Sequence, residues 1–466
     1  MNWKHRLEIC RAAFPRALRV ATVCAGLAAP LLWGAAEGGD VRRDATVEAV
    51  ERVMPSVVNI ATATIVQVRD PFENLWREFW DPYHRRQPQD SVGYSLGSGV
   101  IIDEEGYVLT NDHVVRRADK IWIKPASGTN VYEATLVGTD SKADVALLKI
   151  QARPGEKFTA IRFAKDDDLL LGETVLALGF PFRLSGSVSR GILSSKSRVA
   201  AKETEQLDVP NWLQTDASIN PGNSGGPLVD LNGEMIGLNV AILANAQGIG
   251  FAIPIKRVAE ALSEIITPES SNQGLWFGAR VKAGAGPLTV LTVQPESPAG
   301  KAGLKAGDTV LEVNGQTPKG FIHFNELLLT GAQREASLTV ARDGERRIVP
   351  VRLVPEKAFF NASLIQKRIG VSLQELTPAL AETLGVDPVA GLVIAGVDHT
   401  VPAARGLQPG YLVTAIDGRS TAELTQAAKL IYAKKPGETV RLGIVAFQQQ
   451  GNLQYYRDGA VELPVR

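Results

Sequence analysis

The stretch INPGNSGGPL (219–228) crowds Pro221, Gly222, Gly225 and Gly226 around one hydroxyl, that of Ser224. A serine attacks a carbonyl only when a base takes its proton and an acid holds that base in the right tautomer. Histidine is the usual base, and the chain has 5 of them. His5 lies in a basic N-terminal stretch, His84 in an aromatic, proline-bounded segment, and His323 and His399 in two copies of an internal repeat. His113, in GYVLTNDHVV, stands at the end of a strand-like run in the same β-rich region as Ser224. Asp144, in KADVALLKI, leads straight into an apolar strand, a place where a carboxylate needs a polar partner. Taken alone it is a turn residue; following His113 and preceding Ser224, it supplies the acid. Acyl transfer also puts negative charge on the carbonyl oxygen, and backbone N–H groups must converge on it. Gly222 has the freedom to turn its own amide and that of Ser224 toward one point. Gly225 and Gly226 are expected to leave room for substrate and for a sharp exit into the next strand, while Pro221 restrains the entering chain.

Elements able to hold such a site follow from the rest of the chain. A length of 466 residues implies about three domains. From about Val53 to Ile266, short β-branched runs such as SGVIID, EATLVG, VALLKI and ETVLALG alternate with Gly and Asp turns, as in antiparallel barrels or sandwiches. The segment 70–91, with Phe72, Trp76, Phe79 and Trp80, interrupts them and reads as a long loop, packed on itself or against another subunit. Helical periodicity over 255–266 closes the region before TPESSNQG, a linker. Beyond it, GLKAGDTVLEVNG (303–315) and GLQPGYLVTAIDG (406–418) repeat one pattern, each followed by an expected helix, around 322–330 and 421–433.

Composition narrows the partners. Lys+Arg and Asp+Glu are each 50, so no long-range field points to nucleic acid or to an anionic membrane. Lys4, Arg6, Arg11, Arg16 and Arg19 precede an uncharged run, Val20 to Ala36, that ends in small residues. This is the pattern of a signal peptide over 1–36, with an uncleaved N-terminal anchor, and hence membrane attachment, as the alternative. Both cysteines, Cys10 and Cys24, lie in that stretch, so the chain beyond it has no thiol chemistry. Neither a G-x-x-x-x-G-K-[ST] nor an H-E-x-x-H motif occurs, so no ATP, metal or other cofactor is expected.

At GSGVIIDEEGYVLTNDHVV, KADVALLKI, QTDASINPGNSGGPLVDLNGEMIGLN and GIGFAIP the sequence resembles the HtrA/Deg family of trypsin-like serine proteases with C-terminal PDZ domains. The order His, Asp, Ser along the chain is also the trypsin-like one. The resemblance implies a mainly β protein, a trypsin-like double β-barrel protease followed by two α/β PDZ domains. Its boundaries would be 50–267 for the protease, 273–356 for PDZ 1 and 364–466 for PDZ 2.

Carried over residue by residue, His113 would be the general base, Asp144 its orienting acid and Ser224 the nucleophile. Gly222 and Ser224 would form the oxyanion hole with Asn223 between them. Ser218, six residues before Ser224, is uncharged, so cleavage after Lys or Arg is not expected. Ile219, Ala241 and Ile242 would line a small apolar pocket suited to Val or Ala. Arg198 would belong to a regulatory sensor loop, and 70–91 to a loop that helps hold oligomers together. The PDZ carboxylate loops would be Trp276, Phe277, Gly278 and Ala279 in the first module and Arg368, Ile369, Gly370 and Val371 in the second. Two departures stand out: a shortened passage, KAGAG, after the first loop, and Tyr411 in place of an acidic residue after Gly410.

The function so implied is an ATP-independent endopeptidase of protein quality control in the bacterial cell envelope. Unfolded polypeptides and C-terminal peptides would be its partners, and a homo-trimer or higher oligomer its state. The alternative is a catalytically idle chaperone or a PDZ peptide-binding scaffold in envelope assembly; three intact catalytic groups weigh against it.

Overall fold

A computed structural model describes residues 40, 42–65, 92–166, 168–180, 186–198, 211–240, 248–268, 274–331, 334–385, 391–450 and 453–466. The leader 1–36, the aromatic segment 70–91, Ala241 and Ile242 lie outside these residues. Residues 45–466 form one compact unit.

Six strands close a first barrel: β1 (Val57–Ile65), β2 (Val92–Asp103), β3 (Tyr107–Thr110), β4 (Lys120–Pro125), β5 (Tyr132–Asp140) and β6 (Val145–Ile150), in the order β1-β2-β3-β6-β5-β4. Alternation explains the closure. In β4, Ile121 and Ile123 point inward to meet Val58, Ile60, Ile101, Val108 and Leu148, while Lys120 and Lys124 stay outside.

The second sheet runs β11-β8-β9-β10-β13-β12-β7, and an added β11–β12 pairing joins six of these strands into a ring. Its members are β7 (Arg162–Phe163), β8 (Thr174–Gly179), β9 (Ser187–Arg198), β10 (Trp212–Thr215), β11 (Pro227–Val229), β12 (Glu234–Val240) and β13 (Gly250–Pro254). The expected closing helix is present at Ile255–Ile265 and buries Val258, Ala259, Leu262 and Ile265.

Two smaller αβ modules come next. The first holds β14 (Leu275–Trp276), β15 (Ala279–Val281), β16 (Val290–Val293), β17 (Thr309–Val313), a helix Phe321–Leu329, β18 (Glu335–Arg342), β19 (Glu345–Arg352) and β20 (Val354–Pro355). The second strings β21 (Val371–Glu375), β22 (Leu392–Val397), β23 (Leu412–Ile416), β24 (Thr439–Gln450) and β25 (Leu453–Pro464) into one sheet, with a helix at Leu424–Tyr432. The internal repeat therefore falls on equivalent structure. Asn314–Gly315 and Asp417–Gly418 have positive φ after β17 and β23, the backbone that these residue types tolerate in tight turns. The shortened passage of the first module is also visible: the second carries a helix, Pro378–Leu384, between its first two strands.

The modules are not beads on a string. Ile265 and Ala259 share one core with Phe277, Val281, Ala283, Phe324 and Leu328 of the first module. The Ser263 hydroxyl donates back to the Ala259 carbonyl (2.8 Å) and accepts the Ala283 amide (2.9 Å), and Lys282 pairs with Asp166 at 2.7 Å. Glu326, on the helix Phe321–Leu329, acts electrostatically on the first barrel. There the Tyr107 hydroxyl is pushed up to about 12, first by burial and then by the carboxylates of Glu326, Asp103 and Glu105. Trp276 reaches the other way, into the core of the second module. Its ring lies 4.2 Å from that of Phe359, 4.9 Å from Phe360 and 6.2 Å from Tyr432.

Candidate active site

β3 ends in a single helical turn, Asp112–Val115, that carries His113. The Asn111 amide group donates to the Asp144 carbonyl at 2.9 Å, tying this turn to the start of β6. Asp144 itself has φ 54, a left-handed backbone that is uncommon outside glycine and that aims its carboxylate back at the turn. One carboxylate oxygen, Oδ1, accepts the His113 backbone N–H at 3.0 Å; the other, Oδ2, faces His113 Nδ1 at 2.8 Å. A carboxylate only 2 % exposed thus gains the polar partners that its burial demands. Burial works to lower the pKa of the His113 imidazole, but the charge and hydrogen bond of Asp144 prevail and hold it above the usual 6.5.

Ser224 sits in the seam between the barrels, 3 % exposed. Its turn is closed by the Asn223 amide on the Asn220 carbonyl (2.9 Å) and the Gly226 amide on the Asn223 carbonyl (2.9 Å). The turn is then fastened to β12 by the Gly225 amide on the Asn239 carbonyl (3.0 Å) and the Asn239 amide on the Gly226 carbonyl (2.9 Å). Gly222 and Gly225 have φ 101 and 82. The expectation that Gly225 and Gly226 clear space for substrate is corrected here. A Cβ on Gly225 would overlap the Ser98 carbonyl oxygen and Thr110 Oγ1 and stand 3.2 Å from the Asn111 amide; one on Gly226 would overlap the Leu178 carbonyl. These glycines admit neighbouring backbone, and by doing so they bring the Ser224 turn against the segment that bears His113.

The structure therefore gathers His113, Asp144, Gly222, Asn223 and Ser224 in one seam. The Asn223 amide is spent on Asn220, which leaves the amides on either side of it as the candidates for converging donors. Ser218 is exposed and its carbonyl accepts the Ser189 hydroxyl at 2.7 Å. Ile219 lies beside Gly250, where a Cβ would come within 2.9 Å of its side chain. Arg198, at the end of β9, donates from Nε to Gln214 Oε1 at 2.7 Å.

The two stretches read from the sequence as PDZ carboxylate loops fall one in each of the smaller modules. In the first, Phe277 is core, Gly278 has φ 74, Ala279 begins β15, and the Trp276 indole donates to Gln294 Oε1 at 3.0 Å. In the second, Ile369 and Val371 are core and Gly370 has φ 75. The Arg368 guanidinium donates to the Arg466 and Lys434 carbonyls, so it is engaged within the module. Sequence reasoning missed Ser98 altogether. The available signal was a polar residue between two glycines on a strand leading to the histidine.

A trypsin-like peptidase domain model matches residues 97–238, and PDZ domain models match 289–342 and 367–446. A Marinomonas sp. (strain MWYL1) protein named "Probable periplasmic serine endoprotease DegP-like" is 33 % identical over 437 residues, 85 % of this chain and 90 % of that one. The chain belongs to the DegP-like serine endoproteases. A relative of the same name from Pseudomonas putida (strain W619) is 33 % identical over 82 % of this chain and 86 % of its own. Among solved structures, an HtrA-type protease AlgW with decapeptide is 32 % identical over 67 % of this chain and 98 % of that chain, at a TM-score of 0.39. The serine endoprotease from Yersinia pestis is 30 % identical over 68 % and 99 %, at 0.37. This DegP-like chain is a serine endopeptidase, with a trypsin-like peptidase domain followed by two PDZ domains, and the idle-scaffold reading gives way to the protease.

Proposed function

We propose that Ser224, His113 and Asp144 carry out the peptide cleavage. Ser224 Oγ bonds to the substrate carbonyl carbon while His113 Nε2 takes the hydroxyl proton. Asp144 keeps the other imidazole proton on Nδ1 and stabilises the imidazolium. The amides of Gly222 and Ser224 receive the negative oxygen. His113 then hands its proton to the leaving amine, the C–N bond breaks, and water repeats the sequence on the acyl-enzyme. The observation that carries this reading is the Asp144 carboxylate gripped by both the backbone N–H and the ring of His113. In the Ser224→Ala protein, casein hydrolysis should vanish with the melting temperature unchanged, and a fluorophosphonate should label only the parent. Cleavage retained in that variant overturns the mechanism. A parent that never labels, even with an activating peptide, would return the scaffold reading.

The remaining assignments belong to the same proposal. Ser218 and Ile219, with Ala241 and Ile242, form an uncharged S1 pocket for Val or Ala; such a pocket separates substrates by only about 1–3 kcal/mol per methylene. Broad cleavage of unfolded chains without ATP fits that. The domain limits are 50–267, 273–356 and 364–466, with C-terminal peptides as ligands of the loops at 276–279 and 368–371. Arg198 lies in the regulatory path between PDZ and protease. The leader pattern and the periplasmic names of the relatives support export to the envelope; among the described residues, no helix is long and apolar enough to cross a membrane. A homo-trimer or larger assembly, checked by light scattering, is the proposed state.

A further inference from the structure

Ser98 is fully buried on β2, and its amide, carbonyl and hydroxyl are all engaged by other segments. Its amide donates to the Ser224 carbonyl (2.9 Å), and its carbonyl accepts the Thr110 hydroxyl (2.7 Å). Its hydroxyl accepts the Phe180 amide (2.8 Å) and donates to the Gly222 carbonyl (2.5 Å). One residue of the first barrel thus reaches the nucleophile's own carbonyl and the carbonyl two residues before it.

The Gly222 bond matters because of what lies at the other pole of the same peptide group. The Asn223 amide, the N–H partner of that carbonyl, is held by the Asn220 carbonyl at 2.9 Å. The Gly222–Asn223 peptide is therefore pinned at both ends, one by its own turn and one by Ser98. A peptide that follows a glycine at φ 101 rotates with little steric resistance, so its orientation must come from its partners. Unless ψ of Gly222 and φ of Asn223 change in compensation, its rotation turns the flanking amides of Gly222 and Ser224 relative to one another. A Cβ on Gly179 would stand 2.8 Å from the Ser98 hydroxyl and 2.7 Å from Asn223 Oδ1, so only a residue without a side chain fits on β8 beside this bond.

We propose that Ser98 is a positioning residue for acyl transfer: its hydroxyl, bonded to the Gly222 carbonyl, sets the Gly222–Asn223 peptide so that the amides of Gly222 and Ser224 converge on the developing oxyanion. The inference rests on Ser224 acting as the nucleophile. Ser98 touches no reacting atom and works through the turn alone.

The test compares parent, Ser98→Ala and Ser224→Ala as full-length chains on a chromogenic peptide with Val at the cleavage site. Displacing the oxyanion donors by a fraction of an ångström, rather than deleting one, should lower kcat of Ser98→Ala about 10- to 100-fold. KM should stay within about threefold, because ground-state binding does not use those donors. Affinity for a peptide aldehyde, whose hemiacetal oxygen occupies the same place, should fall in the same proportion as kcat. A serine that merely joins the two barrels would lower the melting temperature and leave kcat per folded molecule intact. End-point titration of Ser224 with a fluorophosphonate, at about 10 °C if the variant is labile, counts the folded sites and separates the two. A kcat per site within about twofold of the parent, or an aldehyde affinity that does not change, overturns the role of Ser98. If Ser224→Ala is inactive, that result leaves the nucleophile standing; if Ser224→Ala still cleaves, the reading beneath both falls.

Discussion

Replacing Asp144 by Asn is the sharpest probe of the geometry, because the structure dictates how the new amide must sit. The His113 backbone N–H points at Oδ1 from 3.0 Å, so the asparagine oxygen takes that place. Its NH2 then faces His113 Nδ1 at the 2.8 Å now spanned by Oδ2. Two donors cannot share that bond, so Nδ1 must give up its proton and become an acceptor. The proton moves to Nε2, where it blocks acceptance from Ser224. The flipped amide would restore the tautomer but set the NH2 against the His113 N–H and leave two buried donors without acceptors. At about 1–3 kcal/mol each, that arrangement lies about 4 kcal/mol above the first, so about one molecule in a thousand is competent. The expected loss in kcat is about 10³-fold, with about 10⁴ as the ceiling for a fully inverted tautomer. The substitution keeps the bond to the backbone, so the melting temperature should move by less than about 2 °C. Peptide hydrolysis under saturating substrate, beside a thermal melt, measures both. A loss of less than tenfold in a folded variant would falsify the tautomer argument.

Three further outcomes are expected of the same structure. Because His113 must be neutral to accept a proton and its pKa is held above 6.5, kcat/KM of the parent should rise with pH through a midpoint above 6.5. In Asp144→Asn the charge that raises it is gone while burial still disfavours the cation, so the limb should move to lower pH; a pH–rate profile that stays put counts against Asp144 as the cause. Trp276→Ala should cost about 3–5 kcal/mol by emptying the space among Phe359, Phe360 and Tyr432. Calorimetry should then resolve a separate, earlier transition for the second PDZ module, and an unchanged trace would mean that the aromatic cluster is not what holds it.

The proposed triad could be picked out because histidine is scarce and because Asp144 heads an apolar strand. The barrels were legible as β-rich punctuation, and all three expected helices form, at Ile255–Ile265, Phe321–Leu329 and Leu424–Tyr432. What stayed hidden depends on tertiary neighbours. Gly225 and Gly226 announce a tight place, but only the fold says that Ser98, Thr110 and Leu178 fill it. Ser98 itself looks like a small residue in a glycine-flanked strand until the second barrel closes over it. Trp276 reads as part of a ligand loop, and its burial among aromatics far downstream in the chain, Phe359, Phe360 and Tyr432, has no local signature.

The stretch TPESSNQG looks like a seam where the protease could be parted from the PDZ modules, yet the core runs straight past it. Cutting there would strip Ala259 and Ile265 of Val281 and Ala283, and leave the Ser263 hydroxyl and the Ala283 amide without each other. The unit that can be exchanged by recombination is therefore larger than the peptidase barrels alone. A descendant that traded its first PDZ module for another would have to inherit the outer face of the helix Ile255–Ile265 along with it. Lineages of such chains should show that face and the β15 edge changing together.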